Sequence, residues 1–120
     1  MKIIDSNIII YSANPDFSYL RPLVMDAANF ASAISLVETL GYQNLHPVDK
    51  KYFESVFEIL QIIEIDRTVL AKAIEVRQNH VIKLGDSLVA ATALLHGLEV
   101  NTRNVSDFKK IPGLTVVNPV

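Results

Sequence analysis

The sequence predicts an α/β domain of three layers, in which helices flank a central, mainly parallel sheet. Two observations carry that prediction. Short β-branched and aliphatic runs alternate along the chain with longer segments whose apolar residues recur at helical spacing. The chain also has 120 residues, half of them hydrophobic, with no repeat, low-complexity tract or linker. That makes residues 1–120 a single domain, large enough to bury a core without disulfides.

The elements follow in order. Lys2-Ile3-Ile4 reads as a short buried strand, and Ser6 to Ser12 continues as an apolar helix until Asn14-Pro15-Asp16 breaks it. Tyr19 to Ala27 places Leu20, Leu23, Val24 and Ala27 at helical intervals. Phe30 to Ile34 reads as a strand, and Ser35 opens a helix to about Asn44, with Pro47 as its stop. Asp49 is the expected N-cap of a helix with Tyr52, Phe53, Val56, Phe57 and Leu60 along one face. Gln61 to Ile65 is a β-branched run, and Asp66 caps a helix to about His80 with Val69, Leu70, Ala73, Ile74 and Arg77 at helical intervals. Gly85-Asp86 starts a helix that is apolar nearly all round from Leu88 to Leu95 and so belongs inside the fold, with Gly97 as its terminator. Glu99–Asn101 and Leu114–Val117 are the last strands, and Asn104 to Phe108 forms a turn or single helical turn between them.

Composition excludes several classes. The chain has no cysteine, which removes disulfide frameworks and thiolate metal sites and fits a reducing cytoplasm. No run approaches the ~20 apolar residues of a membrane span, and Asp5 follows the first apolar residues too soon for a signal peptide. Eleven Lys and Arg against thirteen Asp and Glu leave a net charge of −2, against a protein that holds nucleic acid by bulk electrostatics. A nuclease stays compatible with that balance, because catalytic carboxylates lower the count and bound cations offset them. The three histidines, His46, His80 and His96, have no metal-ligand spacing, and no glycine-rich phosphate loop is present.

Four acids stand in short segments that open helices or turns: Asp5, Glu38, Asp86 and Asp107. In parallel α/β sheets, ligands bind outside the carboxyl ends of the strands. Asp5 follows the first strand, Glu38 starts the helix after the second, and Thr102–Asp107 follows a later one. Asp86 follows no strand directly and needs the tertiary fold to join them. Gathered together, the four need a cation, since close like charges repel, and Mg²⁺ is a hard ion suited to oxygen ligands. Each acid also has a local structural role open to it. Ser35 with Glu38 matches a capping box, Asp86 and Asp5 match N-caps, and Asp107 suits a turn.

At these same segments the chain resembles PIN domains. Ile3-Ile4-Asp5-Ser6-Asn7-Ile8-Ile9-Ile10-Tyr11 is similar to their opening strand, Asp-x-Asn and helix. Ser35–Leu40 resembles the second motif, Leu84–Ala93 with its Asp86 and paired alanines the third, and Thr102–Phe108 the fourth. Within that family the chain is most similar to the VapC-like ribonuclease toxins of toxin–antitoxin pairs, and the resemblance covers essentially the whole chain. It implies a metal-dependent endoribonuclease with a PIN-like fold. Asp5, Asp86 and Asp107 match the acids that hold Mg²⁺ or Mn²⁺, and Glu38 completes the cluster or orients a water. Asn104 and Asp107 are the two alternatives for the fourth position. Asn7 would orient a water, and Thr102 a carboxylate or phosphate. Arg77, Lys83 and Arg103 are the cations to test against the RNA backbone.

The implied chemistry is attack of a metal-activated water on phosphorus, which leaves 5′-phosphate and 3′-hydroxyl ends. The implied partners are an RNA substrate and a small antitoxin protein, with no membrane. The Tyr52–Leu60 helix is the surface expected to meet the antitoxin or a second copy in a homodimer. Two other classes stay open at this level. One is a catalytically weak PIN scaffold that binds RNA or protein without cutting. The other is a phosphoryl-transfer or receiver-like domain with Asp5 as nucleophile, which would want a second acid where Asn7 stands.

Overall fold

The computed structural model describes all residues, 1–120. Thirteen elements follow one another. They are β1 (Lys2–Ile4), α1 (Ser6–Ser12), a 3-10 segment (Pro15–Leu20), α2 (Arg21–Val24), β2 (Phe30–Ser32), α3 (Ile34–Leu40), α4 (Pro47–Ile59), β3 (Gln61–Ile63), α5 (Arg67–Asn79), α6 (Leu84–His96), β4 (Glu99–Asn101), α7 (Val105–Lys109) and β5 (Val116–Val117). The strands form one sheet in the order β3-β2-β1-β4-β5, and every neighbouring pair is parallel. The expected α/β class is therefore the observed one.

Side chains alternate across a strand, and here that rule divides the core. Ile3 packs with Val76, Val89, Ala90, Val100 and Phe108 on one face, which α5, α6 and α7 cover. Ile4 packs with Ile8, Ile9, Phe53, Val56 and Phe57 on the other, which α1 and α4 cover. Both isoleucines are fully buried, and each such side chain stabilises the fold by about 1.5–3 kcal/mol. A smaller cluster of Val69, Ala73, Leu88 and Ala91 joins α5 to α6. No helix is long and apolar enough to cross a membrane.

The topology chooses where a ligand can sit. From β1 the chain builds outward to β2 and β3, then crosses back to place β4 and β5 on the other side. The strand order therefore reverses between β1 and β4, and such switch points leave a crevice at the carboxyl ends. Ile3 pairs with Val100 and Ile4 with Asn101, so Asp5 and Thr102 leave their strands side by side.

Several local expectations are corrected. The Tyr19–Ala27 segment is no continuous helix: Pro15 and Pro22 start two short pieces, and Phe17 departs from helical angles at φ −115, ψ 26. The strands are shorter than read, because Ile34 already belongs to α3 and Ile65 lies beyond β3. Helix α3 ends at Leu40 rather than near Asn44, and Asn44 takes a left-handed φ of 61 in the following loop. Pro47 begins α4 instead of stopping α3, as proline's fixed φ favours. The N-cap of α4 is His46, whose Nδ1 accepts from Val48 N at 3.1 Å, and Asp49 sits in the first turn.

The Ser35–Glu38 capping box does not form. Ala33 is the N-cap, and the Ser35 hydroxyl is buried without a hydrogen-bond partner. Asp86 is not an N-cap either, since Lys83 holds that position. Asp66 caps α5 as expected, accepting from Val69 N at 2.9 Å, and Gly97 ends α6 at φ 64. The buried face of α5 is Val69, Ala73 and Val76, which leaves Leu70 and Ile74 exposed. The apolar face of the Tyr52–Leu60 segment is core, because Phe53, Val56, Phe57 and Leu60 are all buried. That face is not free for a partner.

Candidate active site

The buried half of the site is built where β1 and β4 end. Asp5 N donates to Asn101 O, which closes the sheet at that level, and Asp5 then caps α1 by accepting from Ser6 N at 2.9 Å. Its other carboxylate oxygen accepts from the Thr102 hydroxyl at 2.7 Å. Thr102 Oγ1 itself accepts from Asn104 N at 2.9 Å and from Asn7 Nδ2 at 3.3 Å. With both acceptor positions of a hydroxyl filled, its one proton is directed at Asp5. Asn7 completes the network, its Oδ1 accepting from Arg103 N at 3.3 Å. Residues 5–7 and 102–104 are thus tied into one unit.

Asp5 is only 3% exposed. Burial pushes its carboxyl up from 3.8 to about 6; the Thr102 hydrogen bond opposes the rise, and the charges of Asp86 and Glu38 add to it. The energetic meaning is direct: ionised Asp5 sits where a negative charge is poorly solvated.

The second half comes from the helices. Glu38, exposed on α3, accepts from the Ser6 hydroxyl at 2.9 Å. Its other oxygen lies against Gly85 of α6, where an added Cβ would stand 2.6 Å away. The missing side chain at Gly85 thus makes room for the Glu38 carboxylate against α6. Asp86 lies in the first turn of α6, half-buried, and accepts from Asn104 Nδ2 at 3.2 Å. Burial raises its carboxyl above the usual carboxylate range, as do the Glu38 and Asp107 charges, while Asn104 and Lys83 pull it down.

These groups line one cleft of about 450 Å³, with Asp5, Ser6, Asn7, Glu38, Lys83, Asp86 and Asn104 as its polar residues and Ile10, Val37 and Tyr42 on its wall. Asp107 lies outside it, in an adjoining cleft with Lys83 and Lys110, at 3.9 Å from the Lys110 ammonium. Lys83 borders both clefts and forms no ion pair. Arg103 is exposed with its guanidinium 4.2 Å from the centre of the Tyr11 ring. Arg77 lies on α5 and lines neither cleft. Sequence reasoning missed Ser6 and Tyr42, and it read Gly85 only as part of a helix start. A glycine and a small hydroxyl flanking paired acids are the signals that could have found Ser6 and Gly85.

The donors fit a hard dication in chemistry: three carboxylates with mutual repulsion, plus an amide oxygen on Asn104. In the arrangement seen, no three acidic or histidine side chains stand close enough to hold one ion together. Glu38 accepts from Ser6 through Oε1 and Asp86 from Asn104 through Oδ2, which leaves one oxygen of each without a hydrogen bond.

The fold and cleft define a class, a parallel α/β domain with an acidic site over its topological switch point. Comparison with known families matches residues 2–114 to the PIN domain. The chain belongs to the PIN-domain family and, within it, to the VapC group. It is 30% identical over 107 residues to Ribonuclease VapC of Rickettsia bellii, covering 88% of this chain and 78% of that protein. With Ribonuclease VapC1 of Rickettsia felis it shares 39% identity over 69 residues, 56% of this chain and about half (52%) of that protein. Among solved structures, a toxin–antitoxin complex from Klebsiella pneumoniae superposes with a TM-score of 0.81 at 30% identity, over 100% of this chain and 98% of the other.

Proposed function

We propose that this protein is a divalent-metal-dependent endoribonuclease and acts as the toxin of a toxin–antitoxin pair. The observation that carries the proposal is the meeting of Asp5, Glu38 and Asp86 in one cleft from three separate parts of the chain. The activity named for the Rickettsia relatives and the toxin–antitoxin assembly of the Klebsiella structure support it.

Asp5, Asp86 and the Asn104 amide would hold Mg²⁺ or Mn²⁺, which supplies charge neutralisation and a more acidic water. Asp5 is the fixed member, because Thr102 and Ser6 N hold both its oxygens. Glu38, exposed and free to turn, orients the attacking water and takes its proton at Oε2. Lys83 faces a phosphoryl oxygen and offsets its charge. The water oxygen bonds to phosphorus as the bond to the 3′ oxygen breaks; the departing oxygen takes a proton from solvent. The products carry 5′-phosphate and 3′-hydroxyl ends. Asp107 acts from the next cleft through its charge on Asp86.

The test is cleavage of mixed cellular RNA by antitoxin-free protein with Mg²⁺ or Mn²⁺. Metal-dependent cutting by wild type that disappears in folded Asp5→Asn and Asp86→Asn supports the reading. A second reading, a PIN scaffold that binds RNA or protein without cutting, draws on the spread of the acids. It predicts RNA binding with no cleavage under either ion.

A further inference from the structure

We infer that Arg103, stacked on Tyr11 and next in the chain to the cleft residue Asn104, is a fixed ligand for one backbone phosphate of single-stranded RNA, with Tyr11 as its positioning residue. The inference rests on the nuclease reading above and names a grip that the reaction itself does not require.

The platform is built from the bottom up. Phe17, at the kink of the 3-10 segment, sets its ring nearly perpendicular to Tyr11 at 4.9 Å between centres. That contact fixes the Tyr11 ring on α1. The Arg103 guanidinium lies 4.2 Å from the same ring's centre, within the range where a cation is held by an aromatic face. The Arg103 backbone is held as well, through its N–H to Asn7. Its chain neighbours are Thr102, bonded to Asp5, and Asn104, bonded to Asp86. The Arg103 backbone is therefore held between two residues that hydrogen-bond Asp5 and Asp86, and its guanidinium is held by the Tyr11 ring.

Arg21 provides the contrast. It also lies over a ring, Tyr52 at 5.6 Å, but donates to Ser12 O and Ala13 O, so its donors close a structural turn. Arg103 makes no ion pair and no side-chain hydrogen bond, and it is exposed. A planar, oriented set of free N–H donors suits a phosphate better than a mobile ammonium does. An RNA strand whose scissile phosphate lies among carboxylates meets repulsion there, and a fixed cation outside the cleft offsets it for another phosphate of the same strand.

The experiment measures KM and kcat for a single-stranded oligoribonucleotide with Mg²⁺ or Mn²⁺, across a series of KCl concentrations. Arg103→Ala is expected to raise KM about three- to tenfold with kcat within about twofold, and to reduce the slope of log KM on log salt by about 0.7, the value for one phosphate on a single strand. Arg103→Lys keeps that slope while raising KM. Tyr11→Leu raises KM, and Tyr11→Phe restores it. Unchanged KM and slope in folded Arg103→Ala overturn the inference and leave the guanidinium to a carboxylate on a protein partner. An equal loss in Tyr11→Phe and Tyr11→Leu overturns the platform. If wild type cuts no RNA, the nuclease reading fails and this one fails with it. If wild type cuts and Arg103→Ala matches it, only the grip is lost.

Discussion

The two halves of the acid cleft are built differently. On the strand side, Asp5 is buried, both its oxygens are hydrogen-bonded, and the Thr102 hydroxyl that holds it is saturated by Asn7 and Asn104. On the helix side, Glu38 is exposed and Asp86 half-buried, and each accepts a single side-chain hydrogen bond. One half is preorganised and the other can move. Asp5 is thus held at both oxygens, whereas Glu38 and Asp86 are each held at one oxygen only. Binding and positioning thereby divide between different residues.

The largest effect should follow removal of a central charge. Asp5→Asn and Asp86→Asn are each expected to lower RNA cleavage by about a thousandfold or more, near 4 kcal/mol of transition-state stabilisation. A residual rate within tenfold of wild type in either would break the symmetry of need between the two halves.

Next comes stability against pH. The folded chain binds the Asp5 proton more tightly than the unfolded chain, with values of about 6 and 3.8. The contribution to stability of the ion-free protein is thus full below the unfolded value and is lost as pH rises through about 6, on the order of 2–3 kcal/mol. Urea unfolding between pH 4.5 and 7.5 should show this decline, and Asp5→Asn should flatten it. Equal slopes in both proteins would mean that Asp5 is not strained by burial.

Thr102→Val removes the hydroxyl that fixes Asp5 and leaves Asn104 N and Asn7 Nδ2 without their acceptor. Activity should fall about ten- to a hundredfold, the acid limb of the pH–rate profile should move to higher pH, and Thr102→Ser should recover both. On the mobile side, Gly85→Ala would force Glu38 away, since the new Cβ meets its carboxylate. Cleavage should fall about tenfold while the melting temperature stays level or rises, because alanine suits a helix better than glycine by up to ~1 kcal/mol. The smallest effect belongs to Asp107→Asn, a change within about threefold in rate, or ~0.7 kcal/mol. Asn104→Ala should exceed it. The reverse order would return the fourth position to Asp107.

The same contrast separates what was legible in the sequence. The strand–helix alternation, the buried α6 and the caps at Asp5 and Asp66 follow from periodicity and local chemistry, and they stand in the structure. Asp5 and Thr102 were also placeable at one sheet edge, because each follows a strand directly. The helix side was harder. Ser35-x-x-Glu38 has the pattern of a capping box, yet burial of Ser35 and the hydroxyl of Ser6, far off in sequence, decide otherwise. Whether Asn104 or Asp107 faces the cleft depends on the direction of a single five-residue helix and on Lys110 one turn later. No periodicity encodes that. Gly85 was visible as a glycine, but its need for close approach appears only once α3 and α6 are packed.

On the proposed function, Asp5 from the buried half and Asp86 from the helix half share one divalent cation. The direct measurement is the melting temperature at pH 7.5 against Mn²⁺ concentration, for wild type, Asp5→Asn and Asp86→Asn. Wild type should show a saturating rise, as expected for a ligand bound only by the folded state, and neither variant should show one. No rise in wild type, or the same rise in all three proteins, would contradict it.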